Sequence, residues 1–198
     1  MRPETVAEVP SRGPFVALRG SVFLAGRKFM LERPELMALY WSKLPAAVRA
    51  EVEALAVGDW VSRELLETHY QTLDATGIAA DLFVEQGRFI GARNWGTLML
   101  TLARLAGALG ASPVLGAQRS PQLFRRHMRG GGMRVTQLGA THLRVEHVDF
   151  GPRLAESDAF VSATVGAWVA GCERFATVTE HVVRERSAST IAFDIRWD

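Results

Sequence analysis

Five histidines (His69, His127, His142, His147 and His181) and one cysteine, Cys172, hold nearly all the metal-binding and near-neutral acid–base chemistry this chain can offer. A zinc site takes about four ligands in a tetrahedral array. No two of these histidines stand at the i, i+4 spacing that pairs ligands on a helix. His142 and His147 differ by an odd number, so on one strand they face opposite sides and cannot share a metal. His147 alternates with Leu143 and Val145, which aims it at a core, and His181 among Thr179 and Val183 can do the same from a neighbouring strand. The two form a candidate ligand-binding pair, with hydrogen-bonded structural histidines as the preferred reading. Glu146 and Glu180, adjacent in sequence, point to the other face, which leaves the pair short of ligands. The expectation is no stoichiometric metal, no haem and no other cofactor. His69, in THYQTL near Glu64 and Asp74, reads as an exposed or half-buried helix residue.

Cys172 shares an apolar helical stripe with Phe160, Thr164, Val165 and Trp168 and reads as a small buried hydrophobe. Being alone, it is read as excluding an internal disulfide framework and any Cys-based zinc site. Of the basic residues 21 are Arg and two, Lys28 and Lys43, are Lys, and genome composition is the plain explanation. One dense cluster stands out: Arg119, Arg125, Arg126, His127, Arg129 and Arg134 flank Leu123 and Phe124. A solvated helix face is the first reading. Arg119, Arg125, Arg126 and Arg129 are also the candidate anion or partner surface, since guanidinium forks suit carboxylate and phosphate. Nucleic acid is not expected, because the net charge is only +2 and no recognition motif is present. There is no G-x-S-x-G elbow, P-loop, H-E-x-x-H or dinucleotide fingerprint, so the chain reads as non-enzymatic. Asp149, Glu156 and Asp158 near Pro152 read as helix-capping charges.

The elements that must position these residues follow from hydrophobic period. Met133–Leu138 and His142–Phe150 alternate like strands, Asp158–Phe175 runs at helical spacing, and Thr177–Arg186 and Thr190–Trp197 alternate again. In the last, Ile191, Phe193, Ile195 and Trp197 point one way, predicting a sheet with one buried and one wet face. The order is ββαββ. Upstream, residues 1–14 read as a flexible tail, and Gly20–Glu32 leans toward helix. Pro34 opens a helix, Pro45 sits in the first turn of the next, and Ser62 is an N-cap. Ile78–Leu109 is the longest helical stretch, broken near Gly87 or Gly91 and ended by Gly110 and Pro113. Pro121 begins a short helix, and Gly130–Gly132 is a flexible joint. The fold class is α+β, an N-terminal helical layer on a C-terminal antiparallel unit, as one domain over 15–198. The start of the chain has acids and prolines where a signal peptide needs an apolar core, and no run approaches the ~20 residues of a membrane span, so a cytoplasmic protein is expected.

The segment ESDAFVSATVGAWVAGCERFATVTEHVVRERSASTIAFDIRW resembles the C-terminal half of the 4-vinyl reductase domain, with Gly166 and Gly171 at its glycine places. Upstream, EQGRFIGARNWGTLMLTLARLAG and SPQLFRRHMRGGGMRVTQLGATHLRVEHV resemble its preceding helix and first strands. With RGSVFLAGRKFM, residues 15 to 198 are similar to a large paralogous family of myxobacterial proteins of unknown function. That resemblance implies a fold shared with TRAPP vesicle-tethering subunits and near the haem nitric-oxide sensors. It implies a dimer that holds a small hydrophobic ligand or serves as an assembly surface. Many relatives carry cysteines suited to metal in the final hairpin; this hairpin has His181, Ser187 and Ser189 instead.

The leading expectation is a sensory or adaptor domain that binds a small hydrophobic ligand or a protein partner. Its candidate ligand-binding residues are Trp95, Phe124, His127, His147, Trp168, Cys172 and His181. A pure dimerisation module without a cavity is the alternative, and an enzyme on a small aromatic substrate the third. A homodimer is expected from the apolar Gly91–Leu109 stretch, with Trp95, Leu98, Met99, Leu102 and Leu105. The Trp168 helix is expected to pack across the sheet, so that Trp168→Ala costs roughly 3–5 kcal/mol.

Overall fold

The computed structural model describes residues 2–94 and 112–198. Its strands are β1 (Glu4–Val9), β2 (Ala17–Arg19), β3 (Trp60–Ser62), β4 (Met128–Arg129), β5 (Gly132–Gly139), β6 (His142–Val148), β7 (Val178–Arg186) and β8 (Thr190–Trp197). Its helices are α1 (Gly20–Leu31), α2 (Pro34–Lys43), α3 (Ala46–Ala54), α4 (Arg63–Asp74), α5 (Ala80–Asn94), α6 (Pro113–His127), α7 (Pro152–Glu156) and α8 (Asp158–Cys172). Among the described residues the strands make a five-stranded antiparallel sheet, β1-β5-β6-β8-β7, and a small sheet, β3-β2-β4. The expected ββαββ unit is there, as β5, β6, α7–α8, β7 and β8. No helix of the described residues is long and apolar enough to cross a membrane.

Helix α8 is apolar nearly all the way round, which fits a helix covered on every side. It lies between the sheet and α5. Two acceptors from different parts of the chain cap its start. Ser157 Oγ takes the Phe160 N–H at 3.1 Å, and Asp74 Oδ1, at the end of α4, takes the Ala159 N–H at 2.8 Å. The α5–α8 contact is made backbone to backbone. A Cβ on Gly87 would stand 2.0 Å from the Ala163 carbonyl oxygen, and one on Gly166 2.1 Å from that of Val84. Helix α5 therefore runs unbroken through Gly87 and Gly91, contrary to the expected break. These glycines serve close approach instead of a turn.

Other expectations are corrected. The tail is in part a strand: β1 pairs with β5, burying Ala7 and Val9 between flanking prolines that hide the alternation. Pro121 sits inside α6 instead of beginning a helix, α6 having started at Pro113; the expected helix end at Gly110 lies outside the described residues. The carbonyl of Ala117, which a residue-121 N–H would have reached, accepts Ser120 Oγ at 2.6 Å, so the missing donor is replaced. The glycine joint is a fixed left-handed turn, with φ of +70° at Gly130 and +65° at Gly131. The outer face of β8 is not wet at its centre. Asp194 is 4% exposed there, bound by Arg144 (Nε–Oδ1 2.9 Å), Arg184 (Nε–Oδ2 2.8 Å) and His142 (3.3 Å). Of the three capping charges, Asp158 does lie in the first turn of α8, where it also pairs with Arg186. Asp149 accepts from the Ser11 hydroxyl instead.

Gly166→Ala should destabilise the fold by roughly 1–3 kcal/mol, because the α5 backbone must retreat. Gly77→Ala, with only a left-handed φ and open space, should cost about 1 kcal/mol. Urea unfolding of the two variants checks this order, and equal losses would refute the close-contact account.

Candidate functional site

Where α5 and α8 end, α6 crosses them and the sheet closes the other side, leaving a cavity of about 160 Å³. Ile90, Gly91 and Asn94 come from α5, and Ala167, Trp168, Gly171 and Cys172 from α8. Helix α6 turns Ala117, Ser120, Leu123, Phe124 and His127 inward, and Met133 and His147 rise from β5 and β6. No Asp, Glu, Lys or Arg is among its described lining residues.

His147 is the polar centre of this wall. It is 2% exposed on the core face of β6, facing Phe124, Phe150, Phe193 and Trp168 at ring-centroid distances of 6.1, 5.4, 6.2 and 6.2 Å. The Trp168 indole N–H donates to His147 Nε2 at 3.0 Å. That bond places the imidazole proton on Nδ1, which has no partner among the described residues. Burial pulls its pKa down to about 4, so the ring is neutral near pH 7. The His127 pKa is also lowered, first by burial and then by the Arg126 charge, against an opposing bond to the Leu123 backbone. Burial pushes the Cys172 thiol up to about 12, which keeps it protonated.

Five of the seven expected ligand-binding residues thus meet at one cavity: Phe124, His127, His147, Trp168 and Cys172. Trp95 lies outside the described residues, as does most of the apolar stretch behind the expected dimer. His181 does not join them. It shares the core face with His147 but sits exposed on the edge strand β7, with β8 between them. Their partners on β8, Ile195 and Ile191, are four residues apart. Trp168 reaches the sheet through its bond to His147, yet it is only half-buried at the cavity wall, so its loss removes less buried ring than a core position would. His69, expected near the surface, is buried at 4% exposure, with Nδ1 bonded to the Tyr40 hydroxyl at 2.8 Å and its pKa lowered by burial to about 3. Tyr40 lies two helices upstream, and nothing in THYQTL signals it. Sequence reasoning misses Ile90, Gly91, Ala117 and Met133 as lining residues, since small and aliphatic side chains carry no chemical signal.

Arg119, Arg125, Arg126 and Arg129 are exposed and have no carboxylate partner among the described residues. Arg129 and Arg19 pack over Trp60 at 4.0 and 5.1 Å. Arg134 leaves the cluster for Glu8 on β1, at 3.1 Å. Helix α6 therefore carries cavity residues on one face and arginines without carboxylate partners on the other. Among the described residues no group of three or more His, Cys, Asp or Glu side chains is placed to hold a metal.

No known protein family matches the chain by sequence, and no curated protein does. Solved structures do match. A Fe(II) unliganded H-NOX protein from K. algicida superposes with a TM-score of 0.61 at 11% identity, covering 91% of this chain and 97% of its own. A single-site variant of that protein reaches 0.63 at 13% identity, with the same coverage. An oxygen-binding H-NOX domain related to soluble guanylate cyclases scores 0.52 at 11%, covering 91% and 95%. The fold is that of the H-NOX domains. The expected resemblance to 4-vinyl reductase, TRAPP-like and myxobacterial paralogous proteins is overturned by these matches. A helix crossing an antiparallel sheet is common to both patterns, and glycine spacing does not separate them.

Haem is the group this fold implies, and the described residues do not fit it. The cavity, at about 160 Å³, is below even the ~300 Å³ at which pockets for drug-sized ligands begin. His147 has Nε2 engaged by Trp168 and Cys172 holds its proton, so His127 is the one described lining side chain that would offer iron an imidazole nitrogen, and the volume leaves no room for a porphyrin beside it.

Trp168→Phe should cost roughly 1–3 kcal/mol by leaving His147 Nε2 buried and unpaired; an unchanged urea midpoint would show that the bond contributes nothing. His69 and His147 have depressed folded pKa values, so protons bind the unfolded chain more readily. Stability should hold above pH ~6.5 and fall as pH drops through about 4. A melting temperature flat from pH ~7 to ~4 would contradict two buried neutral imidazoles.

Proposed function

We propose that this chain is a non-enzymatic sensory or adaptor domain whose cavity takes a small apolar ligand. The observation that carries the reading is the apolar space of about 160 Å³ between α5, α6, α8 and the sheet, whose described lining side chains are neutral. The similarity to an oxygen-binding H-NOX domain supports a ligand-reading role for this fold, without supplying its ligand. Helix α6 is suited to transmit occupancy. A ligand against Ala117, Phe124 and His127 shifts the same helix that presents Arg119, Arg125 and Arg126 outward, and Arg129 follows on β4. An acidic surface on a partner protein would match those guanidiniums.

Homodimerisation is part of the proposal, and a monomeric mass by light scattering at micromolar concentration would remove it. Xenon enters apolar cavities of roughly 150 Å³ and tests the site directly. Titration under xenon pressure should move amide resonances of α6 and β6 saturably, and Ala117→Phe should abolish the response. Absence of any saturable shift in the unaltered protein would end the reading.

A further inference from the structure

From the shape and walls of this cavity we infer that its ligand is a neutral single-ring hydrocarbon-like molecule, bound without haem. The inference rests on the ligand-binding reading above and adds the chemical class. Size sets the first limit: an apolar cavity of roughly 150 Å³ holds benzene, and this one measures about 160 Å³. Wall chemistry sets the second. Phe124, Trp168 and His147 present ring faces and edges, which favour an aromatic partner in offset or edge-on contact. Met128 and Met133 add thioethers, which also pack well on rings.

Charge sets the third limit. The described lining holds no charged side chain, the Cys172 thiol is protonated and both imidazoles are neutral. An ionised ligand would lose its hydration and find no counter-charge. An aliphatic chain of the same volume would fit less well, because three aromatic side chains set the wall's shape.

The test is a calorimetric and NMR titration of the whole protein with toluene and ethylbenzene, against benzoate and benzylammonium of similar size. Saturable binding of the two neutral rings is expected, with the two ions weaker by at least about tenfold. Ala117→Leu and Leu123→Trp should each reduce ring binding; Leu123 is only half-buried, so its variant guards against a fold that fails when Ala117 grows. Equal binding of benzoate and ethylbenzene would overturn the inference, as would a stoichiometric Soret band after incubation with haemin. Xenon binding without ring binding would overturn it while leaving the ligand-binding reading intact. Loss of both would remove both.

Discussion

The backbone contact between α5 and α8 is the constraint on which the rest of this structure depends. Gly87 and Gly166 let carbonyl oxygens of the facing helix come where a side chain would otherwise stand. That approach presses α8 against the sheet and lets an almost wholly apolar helix be covered on all sides. Any residue with a Cβ would push α5 outward, and the gap would open along the length of α8. The N-terminal helices depend on the same contact. Gln86 reaches from α5 to the Gly26 carbonyl of α1 at 3.2 Å, and Asp74 of α4 caps α8.

The cavity begins where this contact ends. Around Gly91 and Asn94 of α5 and Gly171 and Cys172 of α8, α6 closes over the space with small residues, Ala117 and Ser120, among those lining it. Of the polar groups in its wall, His147 has only one of its nitrogens satisfied among the described residues, by the Trp168 indole. A buried polar atom without a partner costs free energy, and a binding site is a place where that cost has a reason to persist.

On the far side of the sheet the stabilising chemistry is ionic. Burial alone would raise the Asp194 pKa, but Arg144, Arg184 and His142 together hold it below the usual carboxylate value. Two guanidiniums cover the carboxylate and keep an interior strand closed on its outer face, where an antiparallel sheet would ordinarily meet water. Chemistry thus divides by face: neutral and aromatic toward the helices, charged and paired toward solvent.

Much of this was legible from periodicity. Side-chain alternation places β5, β6, β7 and β8, the helical stripe places α8, Ser62 marks the start of α4, and five of seven candidate residues meet at the cavity. These features depend on residues near one another in the chain, and the period of burial records them directly. Spacing cannot encode the rest. A glycine in a helix reads the same whether it breaks the helix or admits another backbone, so the pattern suggests a break at Gly87 or Gly91 where the fold has a contact. Tyr40 and His69, or Asp194 and Arg144, lie tens of residues apart, and only folding shows that they meet. The layers and the lack of catalytic strings are local properties, readable along the chain. That the described residues enclose a cavity, and that it is too small for a porphyrin, follows from how α5, α6 and α8 meet over a sheet, which no local pattern records.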